Sequence, residues 1–225
     1  SFYDARQKEG YLRNLIIRNT STGEWMVIMV FNYEDKEVRE KLMNEVAEKF
    51  PKITSLLYVI NPKHNDFIND LPIEVYRGNG FIVEEMEELK FKISAKSFYQ
   101  TNSLQAYELY KVVRDFASLT GNERVYDLYT GTGTIALFVS HQCSHVVGVD
   151  YVQDAIDNAH DNMKLNNITN ASFFAGDIKK TLTEDFISAN GRPDVIITDP
   201  PRGGMDESVT RKIVELGAER VVYVS

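Results

Sequence analysis

Hydrophobic positions in the first part of the chain fall in short blocks. Residues 11–19 and 24–32 are apolar at strand length, and the polar Thr20-Ser21-Thr22-Gly23 between them predicts a hairpin turn with antiparallel pairing. The period then changes: Val38, Leu42, Val46 and Ala47 recur at helical spacing within residues 35–50, and Pro51 ends the run. Residues 53–60 return to strand composition, and the breaker-rich stretch from Asn61-Pro62 to Leu71-Pro72 predicts a loop. Three further short strands are expected at 73–76, 81–85 and 89–93. Residues 1–95 therefore read as a small α+β subdomain.

From residue 96 the texture is different, because strand-length apolar runs alternate with helical patterns, as in βαβ units around a parallel sheet. A helix is expected over 103–119, with Asn102 as N-cap, Gln105 three residues on, and Gly121 closing it. Strands at 124–129, 145–149, 172–174, 194–198 and 220–224 alternate with helices at 134–140, 152–165, 178–186 and 207–216. The expectation for 96–225 is an α/β, Rossmann-like domain of five parallel strands. It stops after strand five, without the helix and closing strands of a complete doubly wound sheet, and reads as a truncated domain.

Composition narrows the classes. The 225 residues are 43% hydrophobic and 26% charged, the balance of a globular protein with one large or two small domains. The longest apolar runs, such as residues 25–31, fall far short of the roughly 20 residues a spanning helix needs, and no basic stretch precedes an apolar one at the amino terminus, so neither a membrane span nor a secretory leader is expected. A single cysteine, Cys143, leaves no internal disulfide and no cysteine-built zinc or iron–sulfur site in this segment, and a reducing, cytoplasmic setting is the expectation. A net charge of −8, from 25 Lys+Arg against 33 Asp+Glu, offers no bulk grip on a phosphate backbone. A nucleic-acid partner would have to be held by local features or by parts outside this segment.

The sharpest local signal is Asp127-Leu128-Tyr129-Thr130-Gly131-Thr132-Gly133-Thr134-Ile135-Ala136, a strand and a glycine turn opening a helix, with Asp150 ending the next strand. This fits the dinucleotide fingerprint loosely. It departs from it at Asp127, whose carboxylate is expected where a pyrophosphate would sit, and like charges there disfavour NAD. The same carboxylate suits a ligand with an ammonium and a sulfonium but no phosphate, which describes S-adenosylmethionine. Gly131 and Gly133 let backbone approach the ligand, Asp150 is placed to accept both ribose hydroxyls, and Asp177 is expected near the adenine. A glycine pair alone would serve equally as a tight turn; acids after strands one, two and three favour a nucleoside cofactor.

A second signal, Asp199-Pro200-Pro201-Arg202-Gly203-Gly204, follows the fourth strand, with the prolines fixing the turn and Asp199 directed into the crevice. Amino-group methyltransferases acting on adenine or cytosine carry an aromatic residue after the two prolines, where this chain has Arg202, a residue suited to phosphate or carboxylate. A third, Lys96-Ser97-Phe98-Tyr99-Gln100-Thr101-Asn102, lies at the junction of the two halves and also suits a plain strand end and helix cap. Together, in this order, the three segments resemble the RNA uracil-C5 methyltransferases, which make 5-methyluridine in ribosomal or transfer RNA, and residues 10–18 also resemble that family's central subdomain.

The resemblance implies the class I S-adenosylmethionine-dependent methyltransferase fold. It also implies cofactor contacts at Gln100, Tyr129, Asp150 and Asp199, supported by Gly131, Thr134 and Asp177, with Phe98, Asn102 and Arg202 toward the substrate. The implied reaction is methylation of uridine C5, most simply in 23S ribosomal RNA. Such enzymes add a cysteine thiolate to C6 before C5 takes the methyl, and a base then removes the C5 proton. The family's cysteine motif follows strand five and is expected just after Ser225, so this segment is expected to be inactive alone. Cys143 is expected at the opposite edge of the sheet as an inert thiol. His141, Cys143 and His145 share a spacing that offers three metal ligands but lacks a fourth. Lys8, Arg13, Arg18, Lys90, Lys92 and Lys96 stand as either a phosphate-contacting patch or a solvated face. Two alternatives stay open: a methyltransferase for exocyclic amino groups, and a cofactor-binding scaffold without catalysis.

Overall fold

The computed structural model describes residues 1–224 and divides them into two compact units, one formed by Ser1–Glu85 with Lys92–Lys96 and the other by Met86–Phe91 with the chain from Ser97 onward. The expectation attached to Ser225 lies outside the described residues.

In the first unit, β1 (Leu12–Asn19) and β2 (Trp25–Phe31) pair antiparallel across a turn closed by the Gly23 N–H donating to the Thr20 carbonyl at 3.1 Å. Helix α1 (Lys36–Lys49) starts where Asp35 accepts the Val38 N–H at 3.1 Å. It carries the chain over to β3 (Ser55–Ile60), which lies parallel to β2, and β4 (Ile73–Gly78) returns antiparallel to β3. The sheet order is β1-β2-β3-β4. Met43 of α1 packs with Val27, Phe31 and Leu56, and each fully buried apolar side chain of this kind contributes roughly 1.5–3 kcal/mol. Strands β5 (Phe81–Met86) and β6 (Leu89–Ser94) form a separate two-stranded ladder.

Two of the basic residues left open between a phosphate patch and a solvated face have partners within this unit. The Arg13 side chain is 2% exposed and donates to the carbonyls of Asn61, Lys63 and Asn65, holding the 61–72 loop. Arg18 donates to the Ser94 carbonyl at 3.1 Å. The Arg13 guanidinium, spent on three carbonyls and Asp66, has a structural role within this unit.

The second unit is the parallel sheet. Its strands are β7 (Arg124–Leu128), β8 (His145–Asp150), β9 (Ala171–Ala175), β10 (Val195–Thr198) and β11 (Arg220–Tyr223), in the order β11-β10-β7-β8-β9, parallel throughout. Helices α2 (Ser103–Ala117), α3 (Thr134–Val139) and α4 (Gln153–Leu165) cover one face through Tyr110, Val113, Leu137 and Ile156. Helices α5 (Ile178–Thr181), α6 (Glu184–Asn190) and α7 (Glu207–Leu216) cover the other through Ile178, Ile187, Val209 and Ile213. Arg220, opening β11, donates to the Ala117 carbonyl at the end of α2 at 2.6 Å. Helix α2 therefore runs against the strands, and its first turn lies toward their carboxyl edge.

Two boundaries differ from expectation. Helix α2 stops at Ala117 because Ser118 turns left-handed (φ 44°), so Gly121 is not its cap; the Gly121 N–H donates instead to the Gln142 carbonyl. The expected helix over 178–186 is two helices, because the Thr183 hydroxyl accepts the Phe186 N–H and starts a new N-terminus.

Candidate cofactor site

The chain steps from β7 to β8 and β9 on one side, then crosses to β10 and β11 on the other, which opens a crevice at the carboxyl ends of β7 and β10. The turn after β7 is built by backbone. The Tyr129 and Thr130 amides both donate to the Val149 carbonyl, at 2.9 and 3.2 Å. Tyr129, Gly131 and Gly133 all have positive φ, at 63°, 55° and 79°. A left-handed tyrosine costs on the order of 1–2 kcal/mol, strain that tends to collect at functional turns.

The two glycines answer different needs. A Cβ on Gly133 would lie 3.0 Å from both Ala159 Cβ and Phe173 Cζ, so this glycine lets α3 pack against its neighbours. A Cβ on Gly131 would meet nothing within 4 Å, so its bare face borders open space into which a ligand can come close to the backbone. The Gly131 N–H donates to Asp150 Oδ2, and Asp150 Oδ1 accepts the Val152 N–H, both at 2.9 Å. Each carboxylate oxygen keeps a lone pair, so Asp150 can also accept from a pair of vicinal hydroxyls.

The other strand ends bring further side chains to this edge. Asp199 follows β10, and its amide donates to the Leu128 carbonyl beside the turn at 3.3 Å. Burial pushes the Asp199 carboxyl above its ordinary range. The Gly176 N–H donates to the Asp150 carbonyl at 2.8 Å, setting Asp177 beside the same edge, where it is exposed and caps α5 by accepting the Lys179 N–H. The Tyr129 phenol is raised by burial and then by the carboxylates of Asp206 and Asp177, so its ring lies among these loops. Thr134 is buried, with its hydroxyl 3.2 Å from that of Thr132.

The segment before α2 is more open. Phe98 is 74% exposed, Gln100 is half-buried, and Asn102 is exposed with its Oδ1 accepting the Gln105 N–H at 3.1 Å. All three precede the first turn of α2, the end that faces the carboxyl edge. Arg202 is exposed on the proline loop.

Asp127 is a correction. It does not stand at the rim: it is 1% exposed, beneath the glycine turn, with Oδ2 accepting the Thr130 hydroxyl at 2.6 Å and the Ala136 N–H at 3.1 Å. Tyr129, the residue after the strand, takes the left-handed turn above it. Sequence reasoning also missed Tyr110, a buried phenol close enough to Asp199 and Asp127 to be raised by both after burial itself. Its signal was present, since a hydroxyl on the buried stripe Ala106, Tyr110, Val113, Ala117 needs a polar neighbour. A second omission is the ion pair of Lys179 with Asp206 at 3.1 Å, joining α5, after β9, to the loop after β10.

Cys143 lies just before β8, at the amino edge, with Sγ 3.6 Å from the carbonyl oxygens of Val139 and Ser140. Burial pushes its thiol up to about 11. The Nε2 of His145 contacts the Ser172 hydroxyl at 3.0 Å, and no cluster of His, Cys, Asp or Glu suited to a metal occurs among the described residues. No helix among them is long and apolar enough to cross a membrane.

Comparison with known proteins agrees with this architecture. Residues 119–222 match a family model described as a methyltransferase domain. A curated Porphyromonas gingivalis protein, named an uncharacterized RNA methyltransferase, is 59% identical over the whole chain, which covers 48% of that protein. A Bacteroides thetaiotaomicron protein of the same name is 57% identical, again over the whole chain and 50% of its own length. The chain thus spans about half the length of the curated relatives it matches. Among solved structures, the Pyrococcus abyssi tRNA (uracil-54, C5)-methyltransferase in complex with S-adenosyl-L-homocysteine superposes with a TM-score of 0.79 at 24% identity, over 98% of this chain and 52% of that one. The second unit has the Rossmann-like fold of the S-adenosylmethionine-dependent methyltransferases, and the chain is kin to proteins named RNA methyltransferases.

Proposed function

We propose that this methyltransferase-fold chain is the central and cofactor-binding part of an RNA methyltransferase that uses S-adenosylmethionine to methylate uridine at C5. The observation that carries the cofactor reading is the clamp at the glycine turn, where Asp150 is held by the Gly131 amide beside open space. S-adenosylmethionine supplies an electrophilic methyl when bound. The chain's own residues hold it: Asp150 accepts the ribose hydroxyls, Gly131 lets the backbone close on the ligand, and Tyr129 and Asp177 flank the nucleoside. Gln100 and Asp199, with Thr134 behind them, serve the methionine end, and Phe98, Asn102 and Arg202 serve the RNA.

The uridine-C5 assignment is supported by the ordered segments around Gln100, Gly131 and Asp199, and by the likeness of both units to a tRNA (uracil-54, C5)-methyltransferase. Uracil C5 is a weak nucleophile and needs a thiolate at C6. Cys143 does not qualify, because its thiol is buried, raised and at the far edge of the sheet. The nucleophile and the proton-abstracting base are proposed to belong to the part of the full-length protein outside these 225 residues.

The test is transfer by the full-length protein from methyl-labelled S-adenosylmethionine to 23S ribosomal RNA and, separately, to transfer RNA. Digestion to nucleosides should place the label in 5-methyluridine. Label on an exocyclic amine of adenine or cytosine would overturn the assignment in favour of an amino-group methyltransferase.

A further inference from the structure

Asp127 is a buried acid to which the contacts proposed above give no task. Strand alternation defines its layer: Val125 and Asp127 on β7, like Ile197 and Asp199 on β10, fall on the face covered by α2 and α3, with Asp127 opposite Ile197 in the ladder. The two carboxyl groups are therefore neighbours in one layer. Tyr110 enters that layer from α2, its ring 6.0 Å from that of Phe138.

The hydrogen bonding of Asp127 is one-sided. Oδ2 has both donors, the Thr130 hydroxyl and the Ala136 amide, while Oδ1 is buried with no donor among the described residues. The groups around it are Asp150 at the end of β8, Asp199 after β10, Tyr110 on α2, Thr130 in the turn and the Ala136 amide of α3. None of these is cationic. A buried carboxylate with an unsatisfied oxygen and acids beside it is stabilised by a proton or by a cation. Burial accordingly pushes Asp127 up to about 7, with the Thr130 hydroxyl pulling it down and Asp199 pushing it further up.

We propose that Asp127 is a specificity residue for the charge on the cofactor's sulfur: it keeps a proton in the free protein and releases it when a sulfonium binds beside the Asp127–Asp199 pair. The balance is simple. A neutral carboxyl and a cationic ligand become a carboxylate in the layer beneath that cation, and one proton passes to the buffer. S-adenosylhomocysteine carries a neutral thioether and leaves the proton in place. Cofactor and spent product then bind on different terms, and rising pH strengthens the first without the second. The inference rests on the S-adenosylmethionine reading above.

Calorimetry with each ligand, repeated in buffers of small and large ionisation enthalpy at about pH 6, counts the protons. Release approaching one per S-adenosylmethionine and near zero per S-adenosylhomocysteine is expected. Affinity for the former should rise roughly tenfold between about pH 6 and about pH 8, and for the latter less than twofold. Asp127→Asn should abolish the release and flatten the first profile. Equal release with both ligands, or release that persists in Asp127→Asn, overturns the inference alone. If Asp127→Asn does not fold, the two pH profiles of the unaltered chain decide. Binding of neither ligand at millimolar concentration brings down the cofactor reading together with this inference.

Discussion

Single residues divide into those that hold the sheet together and those that face the ligand space, and two glycines separate the roles cleanly. A Cβ at Gly148 would lie 2.5 Å from Phe173 Cδ1 and 2.9 Å from Thr130 Oγ1, whereas one at Gly131 meets nothing. Gly148→Ala is expected to lower the melting temperature by an amount corresponding to about 1–3 kcal/mol of overpacking. Gly131→Ala should cost about 1 kcal/mol for its left-handed backbone, yet weaken S-adenosylhomocysteine binding at least tenfold by filling the ligand's approach. Thermal melts and calorimetry on both variants check this pair; a Gly131→Ala protein that binds as well as the parent would mean the open face serves no ligand. Asp150, Gly131 and Asp199 were legible as candidates from position alone, since acids and glycines after consecutive strands have few structural reasons to recur. Asp127 was misplaced because sequence tells which residue ends a strand but not where the left-handed turn begins, and Tyr129 absorbs that turn.

At the scale of elements, regular periodicity was readable and terminations were less so. Helix α7 keeps its expected bounds because Asp206 caps one end, accepting the Ser208 amide, and Gly217 turns left-handed at the other. The run from 178 to 190 was not readable as two helices, since a threonine hydroxyl competes with helix continuation only once tertiary packing lets the chain bend. The parallel pairing of β2 with β3 likewise depends on where α1 deposits the chain. The loop over 61–72 looked like breaker-rich filler, yet it is fastened by the buried Arg13 guanidinium, whose donors reach three carbonyls and Asp66. Arg13→Met should therefore cost about 2–4 kcal/mol. It should also open this loop to protease, read by denaturant melts and by mapping the first cleavage; an unchanged cleavage pattern would show that the loop holds itself.

Over the molecule as a whole, the sheet gathers at one edge what the sequence scatters over a hundred residues, from Gln100 before α2 to Asp199 after β10. One architecture hosts many reactions, and the side chains gathered at this edge select among them. Titration calorimetry of the chain and of Asp150→Ala with S-adenosylhomocysteine tests the cofactor reading most directly. The expected result is saturable one-to-one binding by the chain and a loss of at least tenfold in Asp150→Ala, while circular dichroism shows both folded. A folded chain that takes up none of the ligand at millimolar concentration, or an Asp150→Ala protein indistinguishable from its parent, would contradict it.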